Sequence, residues 1–418
     1  MGRPNVILIT SHDTGQHFHC YGDRTVHTPG IDNLAAGGVL FKNNFCTGPL
    51  CSPSRGSIIT GKYPCSNGLM GLVNRGWDMP DSEKSLPHYL KEAGYDTLLF
   101  GFQHERRDPA KSGYDRTIKP EQGIFSRDVI DLLVDFIRKR KQSGSFLASV
   151  GFYETHLPFD NPRFTPDNPD EVCLPAYIPD TPETRLEMAQ FHGLVREMDY
   201  NIGRLLETLK ECGMEENTIF IQTTDHGIAF PRAKSTLYDP GIKTAFIVRW
   251  PAGIPGGRIC EELVSNVDIL PTLLELAGRP VPEDVQGRSI APLLQGREQA
   301  GREFVFAEKD WHNHYDPKRC IRTKEYKYIR NFEKGQAVLL PTDIARSAAG
   351  KVMPADYLKE RQPEELYNLK DDPDELRNIA ADPRYAGIKE ELCLKLYGCM
   401  ENAGDYLSGF RGVEAYWK

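Results

Sequence analysis

The sequence predicts an α/β fold, in which a large, mostly parallel β-sheet is sandwiched by helices and a smaller C-terminal α+β domain contains an antiparallel sheet. The length of 418 residues exceeds one typical domain. Short β-rich runs alternate with helical patterns over the first two thirds, which is typical of a parallel sheet covered on both faces. The pattern changes after about residue 300. We therefore expect an α/β domain at 1–300 and a smaller domain at 301–418.

In the first domain, apolar β-rich runs indicate strands, and apolar residues spaced along one face indicate helices. Strands are predicted at 5–10, 96–101, 146–152, 218–225 and 245–251. Helices are predicted at 28–41, 85–94, 125–144, 185–213 and 268–278. Ile31, Leu34 and Ala35 share one face of the first helix, while Gly94 and Gly213 mark the ends of two others.

In the second domain, polar residues alternate with apolar or aromatic ones. The stretches "EFVFAEK" and "CIRTKEYKYIRNF" show this pattern, which is typical of antiparallel strands with one solvated face. The stretch 364–383 predicts a turn and a short helix. The second domain should therefore be an antiparallel sheet with helical additions.

Composition excludes several classes of protein. A formal charge of −8 without a basic stripe argues against a nucleic-acid partner, although one pocket can still be cationic. Apolar runs are too short for a membrane span or a signal peptide, so we expect a cytoplasmic protein without a membrane partner. Ten cysteines without a C-x-x-C pair predict reduced thiols rather than structural zinc.

The stretch "GPLCSPSRGSIITGKYP" predicts a helix that begins beside a cysteine. Ser52 can serve as the N-cap, Pro53 as the first helical residue and Gly61 as the end. Cys51 then lies at the positive helix end, which favours an anion and should lower the pKa of the thiol. Arg55, one turn further on, can reach the same anion. The alternatives are a capped helix with a bystander thiol and a cysteine hydrolase with a histidine base.

Two predicted strands end in an acid and a histidine before glycine. "NVILITSHDTG" supplies His12 and Asp13, and "TIFIQTTDHG" supplies Asp225 and His226. Functional groups gather at the carboxyl ends of strands in a parallel sheet. Either pair alone could be a helix cap, but two such pairs favour a shared metal site. Carboxylate and imidazole ligands suit Ca²⁺, Mg²⁺ or Mn²⁺, with Zn²⁺ as a further alternative.

Several motifs occur together in one order. They include "HTPGIDNLAAGGVLFKNNF", "CSPSR", "SIITGKYP", "TTDHG", "FIVRWPAG" and "ELYNLKDDPDELRNIA". In this combination, from residue 5 to about 380, the chain resembles the type I formylglycine-dependent sulfatases of the alkaline-phosphatase superfamily, with "CSPSR" as their C-x-P-x-R motif. "NGLMGL" and "FPRAKSTLYDPG" are most similar to the heparan N-sulfatase (N-sulfoglucosamine sulfohydrolase) branch. The resemblance implies an alkaline-phosphatase-like fold whose smaller domain closes over the active site.

The resemblance also implies a sulfatase or sulfamidase that acts on a sulfated, glycosaminoglycan-type saccharide. A formylglycine-generating maturation enzyme would convert Cys51 to formylglycine (3-oxoalanine). The hydrated aldehyde would attack sulfur, and sulfate would leave as the aldehyde re-forms. The implied cofactor is a divalent metal, with Ca²⁺ favoured.

The family pattern assigns roles to residues of this sequence. Metal binding falls to Asp13, Asp225, His226 and the modified Cys51, with His12 as a further ligand. The catalytic set is Cys51 as nucleophile precursor, Arg55 holding it, His104 at the diol or sulfate, His156 at the leaving group and Lys234 on a sulfuryl oxygen.

Two positions depart from the family pattern. His12 stands where the family has an aspartate, so it either binds the metal with one fewer negative charge or has swung out. Phe102 stands where the family has the lysine of "GKxH", and Gln103 could supply a neutral donor instead. Both positions lie beside the expected sulfate site.

The stretch "WHNHYDPKR" concentrates polar and aromatic groups in the smaller domain. It predicts sugar recognition by His312, His314 or Arg319, against the alternative of an ordinary loop. Two further functions remain open from the sequence. One is hydrolysis of phosphomonoesters, phosphodiesters or phosphonate esters at the same kind of site, and the other is non-catalytic binding of sulfated glycans.

Overall fold

A computed structural model describes residues 3–140, 144–297 and 300–410. Its strands are β1 (Asn5–Ser11), β2 (Val39–Phe45), β3 (Asp96–Gly101), β4 (Arg116–Ile118), β5 (Phe146–Gly151), β6 (Thr218–Thr224), β7 (Lys243–Thr244), β8 (Phe246–Arg249), β9 (Arg258–Ser265), β10 (Phe304–Trp311), β11 (Tyr315–Thr323), β12 (Tyr326–Asn331) and β13 (Glu364–Asn368). Its helices are α1 (Pro29–Ala36), α2 (Cys51–Thr60), α3 (Pro64–Asn67), α4 (Leu86–Glu92), α5 (Ser126–Lys139), α6 (Pro182–Glu211), α7 (Asp239–Ile242), α8 (Ile269–Leu276), α9 (Ala291–Leu294), α10 (Thr342–Arg346), α11 (Ala348–Lys351) and α12 (Ala386–Asn402).

A nine-stranded sheet forms the larger part of the molecule, in the order β4-β3-β5-β1-β6-β8-β2-β7 with β9 paired to β2. The central strand β1 runs parallel to both β5 and β6, with Ile7 opposite Ala148 and Leu8 opposite Ile221. Strand β8 is antiparallel to β6 and β2, so the sheet is mixed towards one edge. The predicted α/β class is confirmed, and the strand predicted at 245–251 is one of those that run the other way.

Helices cover both faces of this sheet, because alternate residues of each strand point in opposite directions. Ile7 and Ile9 of β1 lie in a core with α1, α5 and α6. Val6 and Leu8 lie in a second core with α2, α4 and α8. Because β1 is a central strand that is covered on both faces, its carboxyl end lies between those of β5 and β6.

The segment 28–41 was predicted as one helix, and this prediction is wrong in its second half. The helix α1 ends at Ala36, and β2 begins at Val39. A Cβ on Gly38 would lie 2.5 Å from the carbonyl oxygen of Val248, so the chain passes too close to β8 for a side chain at that point. The Gly37–Gly38 pair therefore separates a helix from a strand.

The C-terminal part is a four-stranded antiparallel sheet, in the order β10-β11-β12-β13, with α12 packed against it. Its other face shares an apolar layer with the larger sheet, in which Val305 and Ile329 lie with Phe45 and Leu263. Of the turn and short helix predicted at 364–383, the turn is confirmed directly after Asn368, where the N–H of Asp371 donates to the Asn368 carbonyl oxygen. The helix is wrong: Glu364–Asn368 is a strand, and the helix comes later as α12. Residues 411–418 of the domain predicted at 301–418 lie outside the described residues. No helix in the described ranges is long and apolar enough to cross a membrane.

Candidate active site

The two acid–histidine pairs meet at the carboxyl ends of β1 and β6. The backbone N–H of Asp13 donates to Asp225 Oδ1 at 2.9 Å, which ties one strand end to the other. Asp13 adopts φ 48°, in the left-handed region, so the chain turns sharply as it leaves β1. The hydroxyl of Thr155 donates to the carbonyl oxygen of His12 at 2.9 Å and holds this turn against the segment after β5. The pairs are therefore fixed by backbone contacts as well as by their side chains.

Helix α2 presents Cys51 to this edge. Cys51 is its first residue and Leu50 its N-cap, so the prediction of Ser52 as N-cap is wrong; Ser52 Oγ instead accepts a hydrogen bond from the N–H of Val73. Gly61 ends the helix at φ 67°, as predicted. All the residues of α2 are buried, which locks the helix N-terminus in place.

The sulfur of Cys51 lies among the paired side chains. Its Sγ is 3.4 Å from His226 Nε2 and 3.9 Å from both His12 Nδ1 and Asp13 Oδ1. Arg55, buried one turn further on, donates from Nε to Asp225 Oδ2 at 3.0 Å and from Nη2 to two carbonyl oxygens of β1. Arg55 therefore binds the helix to the strand end and lies behind Cys51.

Four side chains converge on one point. Ligand atoms of His12, Asp13, Cys51 and Asp225 all lie within 4.8 Å of one another. His226 Nε2 is 3.1 Å from Asp13 Oδ1, which brings a fifth donor to the group. His12 Nδ1 lies 2.9 Å from Asp13 Oδ1 and 3.3 Å from Asp225 Oδ2, so the structure places His12 inside the cluster and not swung out. Two carboxylates and two imidazoles at one buried point fit a divalent cation.

Charge in this cluster favours cation binding. Burial would raise the pKa of Asp13, but Lys234 and the neighbouring histidines hold it well below its usual value. Burial likewise opposes ionisation of Asp225, yet the adjacent histidines and Arg55 lower its pKa to about 2. Both carboxylates are therefore ionised across the physiological range.

The thiol behaves differently from the sequence-based expectation. Burial raises the pKa of the Cys51 thiol well above its usual value; Lys234 opposes this shift, and the nearby Asp13 and Asp225 add to it. The predicted lowering is wrong, because the dominant effect is loss of solvation rather than the helix dipole. A neutral thiol is a poor nucleophile, so the geometry does not favour the cysteine-hydrolase alternative.

A cavity of about 490 Å³ opens onto Cys51. We call it the cleft. Its lining comprises His12, Cys51, Leu72, Asn74, Arg75, Phe102, His104, Tyr153, His156, Lys234, His312, Asn313, Thr342 and Asp343. The structure thus brings His104, His156, Lys234 and His312 to the same space as the cluster.

Lys234 links the cluster to the rest of the cleft. Its Nζ donates to Asp13 Oδ2 at 2.7 Å and to Asp343 Oδ2 at 3.2 Å, and lies 3.4 Å from His156 Nε2. His156 Nδ1 is 2.6 Å from the carbonyl oxygen of Leu157, so Nδ1 carries the proton and Nε2 offers its lone pair to Lys234. Burial, with the charge of Lys234, lowers the pKa of His156 to about 4.

Two rings shape the opposite wall. Burial lowers the pKa of His104 to about 3, and its Nδ1 has no hydrogen-bond partner among the described residues. Phe102 packs between the rings of His12 and His104, with centroid separations of 5.2 and 5.4 Å. Phe102 also lies 5.4 Å from the guanidinium carbon of Arg55. Where the family pattern has a lysine, this chain has an apolar wall that shields Arg55.

Three predicted substrate contacts do not line the cleft. The Gln103 amide is occupied within its own turn, since Oε1 accepts from the N–H groups of Glu105 and Arg106 while Nε2 donates to the Arg106 carbonyl. Arg319 is fully buried in ion pairs with Asp310 and Asp405, so its predicted role in sugar recognition is wrong. His314 is exposed and lies outside the cleft lining.

Other residues line the cleft without having been predicted. Asn74 and Arg75 approach from a short 3₁₀ turn after α3, and Asn313 and Asp343 approach from the C-terminal part. Asp343 lies in the first turn of α10, where Asn313 Oδ1 accepts from the N–H of Thr342 at 3.0 Å. No local motif marks these residues, because only the fold places their loops over the strand ends.

Comparison with known proteins agrees with this geometry. The sulfatase family model matches residues 4–279, and a model described as N-sulphoglucosamine sulphohydrolase, C-terminal, matches 226–343. An ulvan-active sulfatase of Formosa agariphila is 33% identical over 97% of this chain and 82% of that protein. Human N-sulphoglucosamine sulphohydrolase is 28% identical over 93% of this chain and 88% of that protein.

A solved structure of an enzyme in complex with its substrate D-glucosamine-2-N,6-O-disulfate shares the fold. It superimposes with a TM-score of 0.77 at 21% identity, covering 98% of this chain and 100% of that chain. The homologues named above are sulfatases and sulfohydrolases, which hydrolyse sulfate esters or sulfamates. Given the matched family model and a relative that is one third identical over nearly the whole chain, this protein belongs to the sulfatase family.

Proposed function

We propose that this chain removes sulfate from a sulfated saccharide, as an O-sulfatase or a sulfamidase, through a formylglycine made from Cys51. The observation that carries the proposal is the position of Cys51 Sγ, which is 3.4 Å from His226 at a helix N-terminus and faces a cleft that contains Lys234. The match to the C-terminal model of N-sulphoglucosamine sulphohydrolase supports a sulfamate on glucosamine as one substrate. A formylglycine-generating enzyme would be the maturation partner.

The cluster is the proposed metal site, with Ca²⁺ favoured because carboxylate oxygens are its preferred ligands. His12, Asp13, Asp225 and His226 would hold the cation beside side chain 51. When bound, the cation would favour an ionised oxygen nucleophile and stabilise charge on the sulfuryl oxygens. Mg²⁺, Mn²⁺ and Zn²⁺ are the alternatives for the same donors.

The thiol itself is not the proposed nucleophile. Burial raises the pKa of Cys51 and keeps the thiol protonated. In the proposed enzyme, the oxygens of a hydrated formylglycine take the place of Sγ. Arg55 acts here as a positioning residue, because its guanidinium is tied to Asp225 and to β1 rather than to the cleft. Removing that contact would let the helix N-terminus move relative to the strand ends.

Lys234 and His156 form the proposed proton-transfer pair for the leaving group. The lone pair of His156 Nε2 faces Lys234 Nζ at 3.4 Å, so one proton can be shared between the two nitrogens. As the bond from sulfur to the sugar oxygen or nitrogen breaks, that proton can pass to the leaving atom. The positive charge of the pair stabilises the sulfuryl oxygens until this transfer, which leaves both nitrogens neutral.

The part of the cleft lining that comes from the C-terminal sheet and its loops is the proposed sugar-binding surface. His312, Asn313 and Asp343 come from the C-terminal part and offer donors and acceptors, and Asp343 Oδ1 is buried without a hydrogen-bond partner among the described residues. A hydroxyl or amine of a sugar could donate to this oxygen. A carboxylate at this position also discriminates against a second anionic group there.

The test is a desulfation screen on protein whose conversion at Cys51 has been verified by intact mass. Defined glycosaminoglycan disaccharides, including one with N-sulfated glucosamine, are compared with sulfated and phosphorylated aryl esters. We expect sulfate release from a saccharide that depends on added Ca²⁺ after chelation. Faster turnover of the phosphorylated ester would favour the phosphatase or phosphonate-esterase alternative, and binding without any turnover would favour the glycan-binding alternative.

A further inference from the structure

A second cavity, of about 610 Å³, is lined in part by Gly15, Gln16 and His17 of the segment that follows Asp13. We call it the rear cavity. It is lined by Gly15, Gln16, His17, Gly22, Asp23, Arg24, Cys173, Leu174, Pro175, Asp239, Pro240, Lys243, Arg322, Leu369 and Pro373. The two cavities share no lining residue, so the rear cavity is not part of the cleft.

Lys243, at the start of β7, is the unusual feature of this cavity. It is partly buried, and its side-chain Nζ has no hydrogen bond or ion pair with any residue that the structure describes, although its backbone N–H donates to the carbonyl oxygen of Asp239. Asp239, an acid that lines the same cavity, is already paired: its carboxylate binds Lys327 and accepts from Arg322 Nη2 at 3.0 Å. The Lys243 ammonium therefore has no direct ion-pair partner among the described residues.

The electrostatic surroundings confirm this imbalance. Burial lowers the pKa of Lys243, and although Asp239 opposes the shift, Arg322 and Lys327 add to it. Burying a cation is costly unless an anion accompanies it. A bound anion would supply the missing charge and would restore the favourable environment of an ammonium group.

The remaining wall of the rear cavity is suited to an organic anion. Arg322 is held in place over the ring of Phe45, with 4.6 Å from guanidinium carbon to ring centroid, and Arg24 lies exposed at the mouth. Leu174, Pro175 and other apolar residues face these cations. The cavity volume is within the range of small-molecule sites, which combine an apolar wall with a few fixed polar groups.

We propose that the rear cavity binds an anionic saccharide unit, with the carboxylate or sulfate of the sugar on Lys243 and with Arg322 and Arg24 beside it. The choice of a saccharide rests on the proposed function, whereas the choice of an oxyanion rests on the unpaired Nζ of Lys243. The site would allow the enzyme to hold a second acidic unit of a polyanionic glycan apart from the unit being desulfated.

Binding of simple sugars tests this site. D-glucuronate, D-glucose 6-sulfate and neutral D-glucose are titrated calorimetrically into wild type, Lys243→Met and Lys139→Met. Lys139 is a matched control, since it is exposed, pairs with Asp135 at 2.8 Å and does not line the cavity. We expect Lys243→Met to weaken binding of at least one acidic sugar by about tenfold or more, and Lys139→Met to leave it unchanged. The preferred acid identifies the group, carboxylate or sulfate, that the site takes.

Two outcomes of this titration overturn the proposal. One is that the acidic sugars bind wild type no better than glucose does, and the other is that Lys243→Met binds them as tightly as wild type. Melting temperature is a second readout: Lys243→Met should melt at the same or a higher temperature, because an uncompensated cation has been removed. A clear drop would show that Lys243 supports the fold, and the assignment to a ligand would then be wrong.

The proposed function and the proposed ligand site in the rear cavity can be rejected independently of each other. Turnover of a small aryl sulfate by Lys243→Met should equal that of wild type, because Lys243 is outside the cleft. Sulfatase activity without Lys243-dependent binding would reject the rear cavity alone. Lys243-dependent binding without any sulfatase activity would reject the proposed function alone.

Discussion

Two clusters of buried charge in this molecule differ in what their charges face. One is the cluster at the strand ends around Cys51, and the other lies under the C-terminal sheet around Arg319, which we call the Arg319 cluster (Glu308, Asp310, Arg319 and Asp405). Both are almost fully buried, and both contain acids within ion-pair distance of a base. Burial and charge alone therefore do not separate them.

The Arg319 cluster is closed on itself. Arg319 Nη2 lies 3.1 Å from Asp310 Oδ1, its Nε contacts Asp405, and its Nη1 donates to the carbonyl oxygen of Lys309 at 3.1 Å. None of these residues lines the cleft or the rear cavity. Its contacts join β10 and β11 to the segment after α12, which is a structural role.

The cluster at the strand ends is open. Cys51, His12 and Lys234 reach the cleft surface, while Asp13 and Asp225 supply charge from behind. The difference teaches that shifted pKa values indicate a functional site only when the groups converge on open space. The predictions below change one cluster at a time, in order of decreasing expected effect.

Cys51→Ala should abolish turnover, with a loss of about 10⁴-fold or more in kcat, because the side chain that becomes the nucleophile is gone. The measurement is sulfate release by verified, converted protein and by the variant. Cys46→Ala is the matched control, since Cys46 is equally buried but faces the carbonyl oxygen of Gly241 rather than the cleft. Equal losses in the two variants would show damage to the fold rather than to the site.

Arg319→Met should lower the free energy of unfolding by about 3–5 kcal/mol, because it leaves Asp310 and Asp405 buried without their cation. KM of the folded fraction should stay at the wild-type value. Urea denaturation and steady-state kinetics measure the two quantities. Lys324→Met, which removes an exposed pair with Glu262 at 2.9 Å, should cost less than about 1 kcal/mol. A raised KM with unchanged stability would restore Arg319 as a substrate contact.

Most of the cluster at the strand ends could be predicted from the sequence, because its residues directly follow buried strands and lie in contiguous motifs. His12, Asp13, Asp225 and His226 each stand within two residues of a strand end. The geometry of a parallel sheet then requires them to meet. Cys51 is placed by the same reasoning, since a helix start is visible in the sequence.

Other parts of the site depend on tertiary packing that no local pattern encodes. Gln103 looks like a free amide in the sequence, but the turn at 103–106 uses both of its polar atoms. Asp343 has no motif, and it lines the cleft because the fold brings the first turn of α10 to this cavity. Strand β2 was missed because the helical spacing before Gly37 was extended across Gly37 and Gly38 into the strand that follows them.

Lys234→Met should lower kcat/KM by about 10²–10³-fold, since it removes a cation that is placed beside the developing sulfate charge. Stability should change less than in Arg319→Met when Ca²⁺ is present, because the metal would still neutralise Asp13. Kinetics on one aryl sulfate and one saccharide substrate measure the effect. A rise in KM with unchanged kcat would mean that Lys234 only binds the ground state, and its role in proton transfer would be rejected.

Glu308→Gln should change how stability depends on pH. Burial, with Asp310 and Asp405 nearby, raises the pKa of Glu308 to about 8 despite Arg319, so the folded protein holds this proton more tightly than the unfolded chain does. Unfolding between pH 4.5 and 8 then releases a proton, and rising pH favours the unfolded state. Between about pH 5.5 and 7, wild type should lose roughly 2 kcal/mol relative to Glu308→Gln.

Urea denaturation of both proteins at the two pH values measures this difference. Glutamine has the same shape, and its amide oxygen can accept the hydrogen bond that Glu308 Oε1 receives from the N–H of Cys65. If the stability difference between the two proteins does not change with pH, Glu308 is already ionised in the folded state. Arg319 would then balance three carboxylates, and the Arg319 cluster would carry excess negative charge although it opens onto neither the cleft nor the rear cavity.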